Sequence, residues 1–332
     1  MRILITGGAG FIGSNFVRHM LKKHKNYEYT VYDLMTYASN PDNIKEFDRN
    51  KNFRFIKGDI CDRKKTEKFV KNADVVVNFA AETHVDRSIL GPPVFVQTNI
   101  NGTDSLLNAC RIHGIKKYIQ ISTDEVYGSV KTGKSKETDR MNPSSPYSSS
   151  KAAADLVALA YYRTFGVPVI ITRSSNNFGP YQHPEKFIPL FITNAVENRK
   201  MPLYGDGKNI RNWIYVDDNC SALDIVLHRG KPGEVYNIGG NVEMKNIDVA
   251  ELILKLFGKK KKLIQKVKDR PAHDRRYALD SSKVKKLGWK PAHNFRQALD
   301  ETISWYVKNE VWWEKLKNKA FKKYYSELYR LR

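Results

Sequence analysis

The sequence predicts an α/β fold: a doubly wound parallel sheet with a smaller, interleaved C-terminal lobe. Three observations carry that expectation. Short apolar runs alternate with helical patterns through the first half of the chain. Several runs, such as Val75-Val76-Val77, are apolar without alternation, as strands buried on both faces must be. A glycine-rich turn, Gly7 to Gly13, joins the first run to the first helical pattern.

Taken in order, strands are expected at 2–6, 29–33, 53–57, 74–80, 117–122 and 168–173. Between them, 11–24, 62–71, 93–113 and 148–165 carry apolar residues at helical spacing. After residue 173 the pattern loosens. Pro180, Pro184, Pro189 and Pro202 punctuate short segments, and Gly205-Asp206-Gly207 reads as a turn. Helices are expected at 187–199, 217–229, 246–258 and 294–308. The run from Glu234 to Ile238 reads as a strand returning to the sheet, which interleaves the lobes. The expected division is 1–173 for the sheet, with further returning strands from 210–240, and 174–332 mainly for the second lobe.

A chain of 332 residues, 41% of them hydrophobic, can bury a sizeable core. No apolar run approaches the roughly 18–20 residues of a membrane helix. The first strand follows Met1 directly, which leaves no room for a signal peptide. Cys61, Cys110 and Cys220 lie far apart with no CxxC spacing, against a disulfide framework or a zinc site and in keeping with a reducing cytoplasm. No metal ligands are expected. The formal charge of +22 raises the question of nucleic acid, yet the basic residues are dispersed, and the densest run is only Lys259 to Lys262. A solvated, lysine-rich surface accounts for this charge, part of which can steer an anionic substrate.

Glycines at 7, 10 and 13 allow a tight turn, close approach of backbone to a pyrophosphate, and tight packing of helix on sheet. The helix that follows offers unpaired N–H groups to phosphate. The spacing is GxxGxxG rather than GxGxxG, and its position after the first strand gives it weight. Asp33 ends the second strand, where a carboxylate accepts hydrogen bonds from an adenosine ribose and repels a 2′-phosphate. The expected cofactor is therefore NAD on a Rossmann-like sheet. Asp59 and Ile60, after the third strand, are placed to reach the adenine.

Two further stretches carry chemistry. "ISTDEVYG" (121–128) ends a buried strand in adjacent acids, Asp124 and Glu125, each of which makes the other harder to ionise. Tyr147 and Lys151 lie four residues apart, on one face of a helix start. A neighbouring ammonium, together with a cationic nicotinamide, lowers a phenol pKa and makes it a usable base.

These motifs resemble the extended short-chain dehydrogenase/reductase family. Within it, "AAETHVDRSI" (80–89), "STDEVYG" (122–128), "SSPYSSSKAAAD" (144–155), "SNNFGPYQHPEKFIPL" (175–190) and "DRPAHDRRYALD" (269–280) are similar to the sugar-nucleotide 4,6-dehydratases acting on dTDP-glucose. The likeness runs over essentially the whole chain. Small departures are Thr83, where Ser is common, and Ala272, where Gly is frequent.

The resemblance implies roles residue by residue. Tyr147, supported by Lys151, would take the O4 proton while hydride leaves C4 for NAD, and Thr123 would bond the same oxygen. Glu125 would remove the C5 proton, and a protonated Asp124 would donate to the departing C6 hydroxyl. Two carboxyls with pKa values pushed apart would thus supply one base and one acid. Phe11, Ile12, Leu34, Thr36, Ala80, Ala81, Thr98 and Asn176 would join the glycines around the cofactor. Thr83, Thr123, Asn177, Lys186, Phe187, Pro202, Leu203, Tyr204, Arg211, Asn246, Asp269, Arg270, His273 and Tyr329 would bind the substrate. Arg211 and Arg270 suit its pyrophosphate, since a guanidinium binds it through two hydrogen bonds.

A homodimer is implied as well, with 93–113 and 148–165 pairing across a two-fold axis through small residues such as Ala152 and Ala160. The expected setting is cytoplasmic, with neither membrane nor nucleic acid as partner. Two rivals are a UDP-sugar dehydratase or C4 epimerase on the same scaffold, and a non-catalytic NAD- or nucleic-acid-binding protein. The acid pair argues against the epimerase, and the intact Thr/Asp/Glu/Tyr/Lys set against a protein without catalysis.

Overall fold

Side chains alternate across a strand, and this alternation decides the layers. On strand β1 (Arg2–Thr6), Ile3 and Ile5 pack into one apolar cluster and Leu4 into another, so the strand needs cover on both faces. The computed structural model describes residues 1–330. In its N-terminal part, α1 (Phe11–Lys23), β2 (Glu28–Asp33), β3 (Phe53–Lys57), α2 (Arg63–Val70) and β4 (Val75–Asn78) follow β1. Then come α3 (Val85–Leu90), α4 (Pro93–Phe95), α5 (Gly102–His113), β5 (Lys117–Thr123), α6 (Pro146–Phe165) and β6 (Val169–Ser174).

The sheet has seven strands in the order β10-β6-β5-β4-β1-β2-β3, where β10 is Val235–Ile238, and every pairing is parallel. The expected doubly wound parallel sheet is therefore present. Phe16, Val17 and Met20 of α1 join Leu223 and Val226 of α8 (Val216–Arg229) on one face. Leu106 and Leu107 of α5 and Ala158 of α6 lie on the other. The winding direction reverses between β1 and β4, and a ligand crevice opens there at the carboxyl ends of the strands.

Several local devices set the crevice walls. Ser145 accepts a bond from the Ser148 N–H at 3.1 Å, Ser148 Oγ takes the Ser145 N–H at 3.0 Å, and Pro146 occupies the first turn. This capping box starts α6 two residues ahead of the expected 148 and fixes the first turn that bears Tyr147. The expected helix 93–113 is broken by a π-helical segment, Val96–Asn101. Its wider turn aims Asn99 at the loop after β4, where it pairs with the Glu82 backbone at 2.8 and 3.1 Å and with Ser150 at 2.8 Å. The fourth strand ends at Asn78 rather than 80, because the Gly7 turn brings the chain against Ala80.

The second lobe collects the rest of the chain. β7 (Asn176–Phe178), α7 (Phe187–Val196), β8 (Met201–Tyr204), β9 (Ile210–Tyr215), β11 (Val242–Lys245), α9 (Asn246–Leu256) and β12 (Ile264–Val267) form it with α11 (Phe295–Lys308), α12 (Glu310–Leu316) and α13 (Lys319–Arg330), whereas Val284 of α10 (Ser282–Lys286) packs into the core of the large sheet beside Tyr236 and Ile238. The second lobe has its own core, around Phe178, Phe191, Trp213 and Trp313. Of the chain between 210 and 240, only β10 returns to the large sheet; β9 pairs instead with β7 and β11. The short strands β7, β8, β11 and β12 lie outside the sequence expectation. Pro202, read as punctuation, sits within β8, which pairs with β12 alone and so leaves one edge free of ladder bonds.

Candidate active site

Two adjoining cavities occupy the crevice and its extension into the second lobe. The first runs along the carboxyl ends of β1, β2 and β4. At its floor a Cβ on Gly7 would lie 2.5 Å from the Ala80 nitrogen, and one on Gly13 would lie 2.4 Å from the Gly7 oxygen. Gly7 also has φ +67, so both positions require glycine. Asp33 holds the loop: Oδ2 accepts the Ala9 N–H at 3.0 Å, and Oδ1 accepts the Met35 N–H and Ser39 hydroxyl, each at 2.8 Å.

Gly10, Phe11, Ile12, Leu34, Thr36, Asp59, Ile60, Ala80, Ala81 and Thr98 line the same cavity, and Tyr147 and Lys151 lie along it too. Asn176 does not. It opens β7, which leaves the large sheet for the second lobe, so it lines the other cavity. Ser39, Glu82, Gln182 and His183 belong to this first cavity and had not been singled out. Glu82, Gln182 and His183 lie inside the quoted motifs, so the signal was there.

Thr83, Tyr147, Glu185 and Lys186 line both cavities and mark where they meet. Lys151 donates to the Ile121 carbonyl at 2.6 Å, and burial pulls its pKa down to about 8. Burial, then the charge of Glu125, pushes the Tyr147 phenol well above its ordinary value, while the Thr83 and Thr123 hydroxyls oppose this. The Lys151 ammonium is directed at that Ile121 carbonyl, at the foot of the cavity that Tyr147 also lines.

Thr123 closes β5 and caps the 3-10 turn Asp124–Tyr127, accepting the Glu125 N–H at 3.2 Å. Thr123 Oγ1 also lies 3.2 Å from Asp124 Oδ1, whereas Asp124 Oδ2 is buried without a partner. Burial, then the Glu125 charge, pushes Asp124 up to about 8, with Arg211 opposing. Glu125 is also raised by burial, but Arg270, Arg211 and Lys186 all pull it back. Both acids are thus raised by burial, with more cations set against the rise at Glu125 than at Asp124. Glu125 faces the second cavity, and Asp124 stands behind the wall.

That second cavity is cationic at its centre. Arg211, Arg270 and Lys186 line it with His273, Asn246, Phe187, Pro202, Leu203, Tyr204 and Tyr329. Arg211 is held by the carbonyls of Ile210 at 2.8 Å and Asp274 at 2.9 Å, over the Tyr277 ring. Arg270 Nε is buried without a partner, a donor in want of an anion. Burial, then Arg270 and Arg211, draws His273 down to about 4, and its Nδ1 pairs with Asp269 at 2.6 Å. The Tyr204 and Tyr329 rings lie 6.0 Å apart at the outer end.

Thr123, Asn177 and Asp269 do not reach either wall: Thr123 is engaged by Asp124 and the Glu125 N–H, Asn177 turns back to the Ser175 carbonyl at 2.9 Å, and Asp269 serves His273 and the Arg270 N–H. His84, Asp86, Trp213 and Tyr277 are wall residues that sequence reasoning missed. At the junction, Arg87 bonds Glu185 at 2.9 Å and lies over Tyr37 and Tyr324. Burial alone would push Glu185 up, but the surrounding cations bring it to about 2. Arg87 and Lys186 carry this at neutral pH, since burial holds His84 and His183 near 4, uncharged.

Residues 4–302 match the family described as GDP-mannose 4,6 dehydratase. The chain is 50% identical over 310 residues to the low-salt glycan biosynthesis protein Agl12 of Haloferax volcanii, covering 93% of this chain and all of that one. It is 48% identical over 323 residues to a dTDP-glucose 4,6-dehydratase of Streptomyces niveus, covering 96% of each. A crystal structure of a dTDP-glucose 4,6-dehydratase from Streptomyces venezuelae with NAD bound superposes with a TM-score of 0.94 at 46% identity, covering 96% of this chain and 100% of that one.

Proposed function

The chain belongs to the GDP-mannose 4,6 dehydratase family, and from that premise we propose that it is an NAD-dependent 4,6-dehydratase of dTDP-glucose, a hydro-lyase that forms dTDP-4-keto-6-deoxyglucose. Relatives named for this reaction share nearly half its residues over nearly its full length. One observation of the site carries the reading: adjacent carboxyls, one held protonated and one surrounded by cations, stand beside the Tyr147 junction between two cavities.

The first cavity fits the cofactor. Gly7 and Gly13 leave space that any Cβ would fill, and Asp33 offers a carboxylate where a ribose hydroxyl would lie. Gly7, Gly13 and Asp33 would hold NAD there, and the bound cofactor would supply the hydride acceptor and donor that the reaction needs. The chain's own groups handle the protons. Tyr147 takes the proton of the C4 hydroxyl as that carbon is oxidised, with Thr123 as hydrogen-bond partner of the same oxygen. The resulting 4-ketone acidifies C5, whose proton passes to the Glu125 carboxylate. The C6 hydroxyl leaves as water with a proton that Asp124, protonated at neutral pH by its pKa near 8, passes from behind the wall beside Thr123.

Arg211, Arg270 and Lys186 hold the pyrophosphate, and the Pro202–Tyr204 strand with Tyr329 encloses the base. The large sheet thus serves the cofactor and the second lobe the sugar nucleotide. We extend the proposal to a homodimer: Ile112 of α5 and Leu156 and Phe165 of α6 are each at least half exposed, an apolar surface suited to pairing with a second copy. No described helix is long and apolar enough to cross a membrane, and a cytoplasmic setting with a role in deoxysugar synthesis is part of the same reading.

The deciding experiment offers the purified protein dTDP-glucose and UDP-glucose side by side. Loss of water to a 4-keto-6-deoxy sugar, faster with the thymidine nucleotide and without net NADH, is the expected result. Inversion at C4 with retention of the C6 hydroxyl would overturn it. Sedimentation of a monomer at micromolar concentration would refute the dimer.

A further inference from the structure

Away from both cavities, the end of α1 meets α8 through a cluster that the dehydration does not use. His24 caps α1, and Asp224 and His228 stand one turn apart on α8. His24 Nε2 lies 2.9 Å and His228 Nδ1 lies 3.0 Å from the same oxygen, Asp224 Oδ1. The three potential ligand atoms all fall within 4.8 Å of one another. Among the described residues, no other set of three His, Cys, Asp or Glu side chains is so arranged.

The surroundings are organised around that point. The second carboxylate oxygen, Oδ2, is already occupied by Lys23 Nζ at 2.7 Å and His19 Nε2 at 3.1 Å. Oδ1 is left to the two imidazoles. His228 Nε2 lies 3.1 Å from the Tyr27 hydroxyl, and the Tyr27 ring stacks on His24 at 4.9 Å. One phenol therefore orients both rings, as outer partners orient metal-bound histidines. The Asp224 side chain is buried, while His24 and His228 are 20% and 33% exposed, so an ion has access from solvent.

We propose that His24 Nε2, Asp224 Oδ1 and His228 Nδ1 form a binding site for a divalent cation of the Zn²⁺, Co²⁺ and Ni²⁺ class, with water completing its coordination. Two imidazoles and one carboxylate oxygen match the donor preference of these ions and not of Mg²⁺ or Ca²⁺, which take oxygen. In the arrangement without the ion, His228 Nδ1 also approaches the Asp224 carbonyl at 2.8 Å, and ion binding replaces that contact. Lys23 sets the affinity: its ammonium competes electrostatically with the ion, yet its side chain is 54% exposed and free to turn outward. The bound ion ties two helices on one face of the sheet and stabilises the fold without entering the reaction.

The test uses the untagged full chain with its cofactor, stripped by a chelator and titrated with Co²⁺ and with Zn²⁺. One Co²⁺ per chain, with visible absorption bands of a low-coordinate nitrogen–oxygen site, is expected, and Zn²⁺ displaces it and raises the Tm. The double variant His24→Gln, His228→Gln weakens binding by at least about 100-fold, beyond the usual loss for an outer-shell partner. Its turnover of dTDP-glucose stays unchanged, which also shows that it folds. Lys23→Ala tightens binding. No uptake at millimolar Co²⁺ or Zn²⁺, or uptake unaltered in the double variant, overturns the site.

Discussion

Asp124 and Glu125 are neighbours in the chain, both raised by burial, and the cations of the second cavity oppose that rise most at Glu125. Asp124 is buried with one oxygen unpartnered and its pKa near 8, while Glu125 turns toward Arg270, Arg211 and Lys186. On that difference rests the proposed division of roles, Asp124 as proton donor and Glu125 as proton acceptor. The predictions below begin from that difference.

Glu125→Gln keeps the size and most of the hydrogen bonding but removes the base. The variant should still bind dTDP-glucose and transiently reduce its NAD. Water loss and exchange of the C5 proton with solvent should fall by at least about 100-fold, the usual range for a general base. Tyr147→Phe should instead block reduction of the cofactor. Rapid-mixing absorbance of enzyme-bound NADH, read beside C5 deuterium exchange, separates the two; exchange at the wild-type rate in Glu125→Gln would reassign the base.

Asp124 links stability to pH. A carboxyl with a raised folded pKa binds its proton more tightly in the folded than in the unfolded state. Its contribution is full below its ordinary value of about 4 and is lost as pH rises through about 8. Asp124→Asn removes that loss, so its Tm gain over the wild type should be larger at pH 8 than at pH 4. Elimination should fail in the same variant. Equal Tm differences at both pH values would contradict the assignment.

Asp33 both faces the cofactor cavity and ties Ala9, Met35 and Ser39 together. Asp33→Ala should weaken NAD binding, relax discrimination against NADP, and lower the Tm of the cofactor-free protein. Fluorescence titration with both cofactors and a thermal melt check it. An unchanged preference would move the specificity elsewhere.

Arg270 carries a buried Nε without a partner in the cationic cavity. Arg270→Gln should raise the Kd for dTDP by about 10- to 100-fold, the worth of a charge-assisted hydrogen bond, while NAD affinity holds. Calorimetry with each ligand provides the check, and equal loss of both would point to a collapsed site.

Local chemistry determined much of this protein in advance. The Gly7–Gly13 loop, the apolar run at Val75–Val77 and the four-residue spacing of Tyr147 and Lys151 are short-range patterns, so a parallel sheet with a nucleotide crevice could be read from them directly. The short strands β7, β8, β11 and β12 could not, since segments of three or four residues carry no stable periodicity of their own. Tertiary structure alone decided the ionisation of the acid pair, because burial and the cations Lys186, Arg211 and Arg270 arrive from distant parts of the chain. It also sent Asn176 to the second cavity and brought His24 to Asp224 across 200 residues. The division is physical: backbone conformation answers to neighbours in sequence, whereas a proton's affinity or an ion's site answers to neighbours in space.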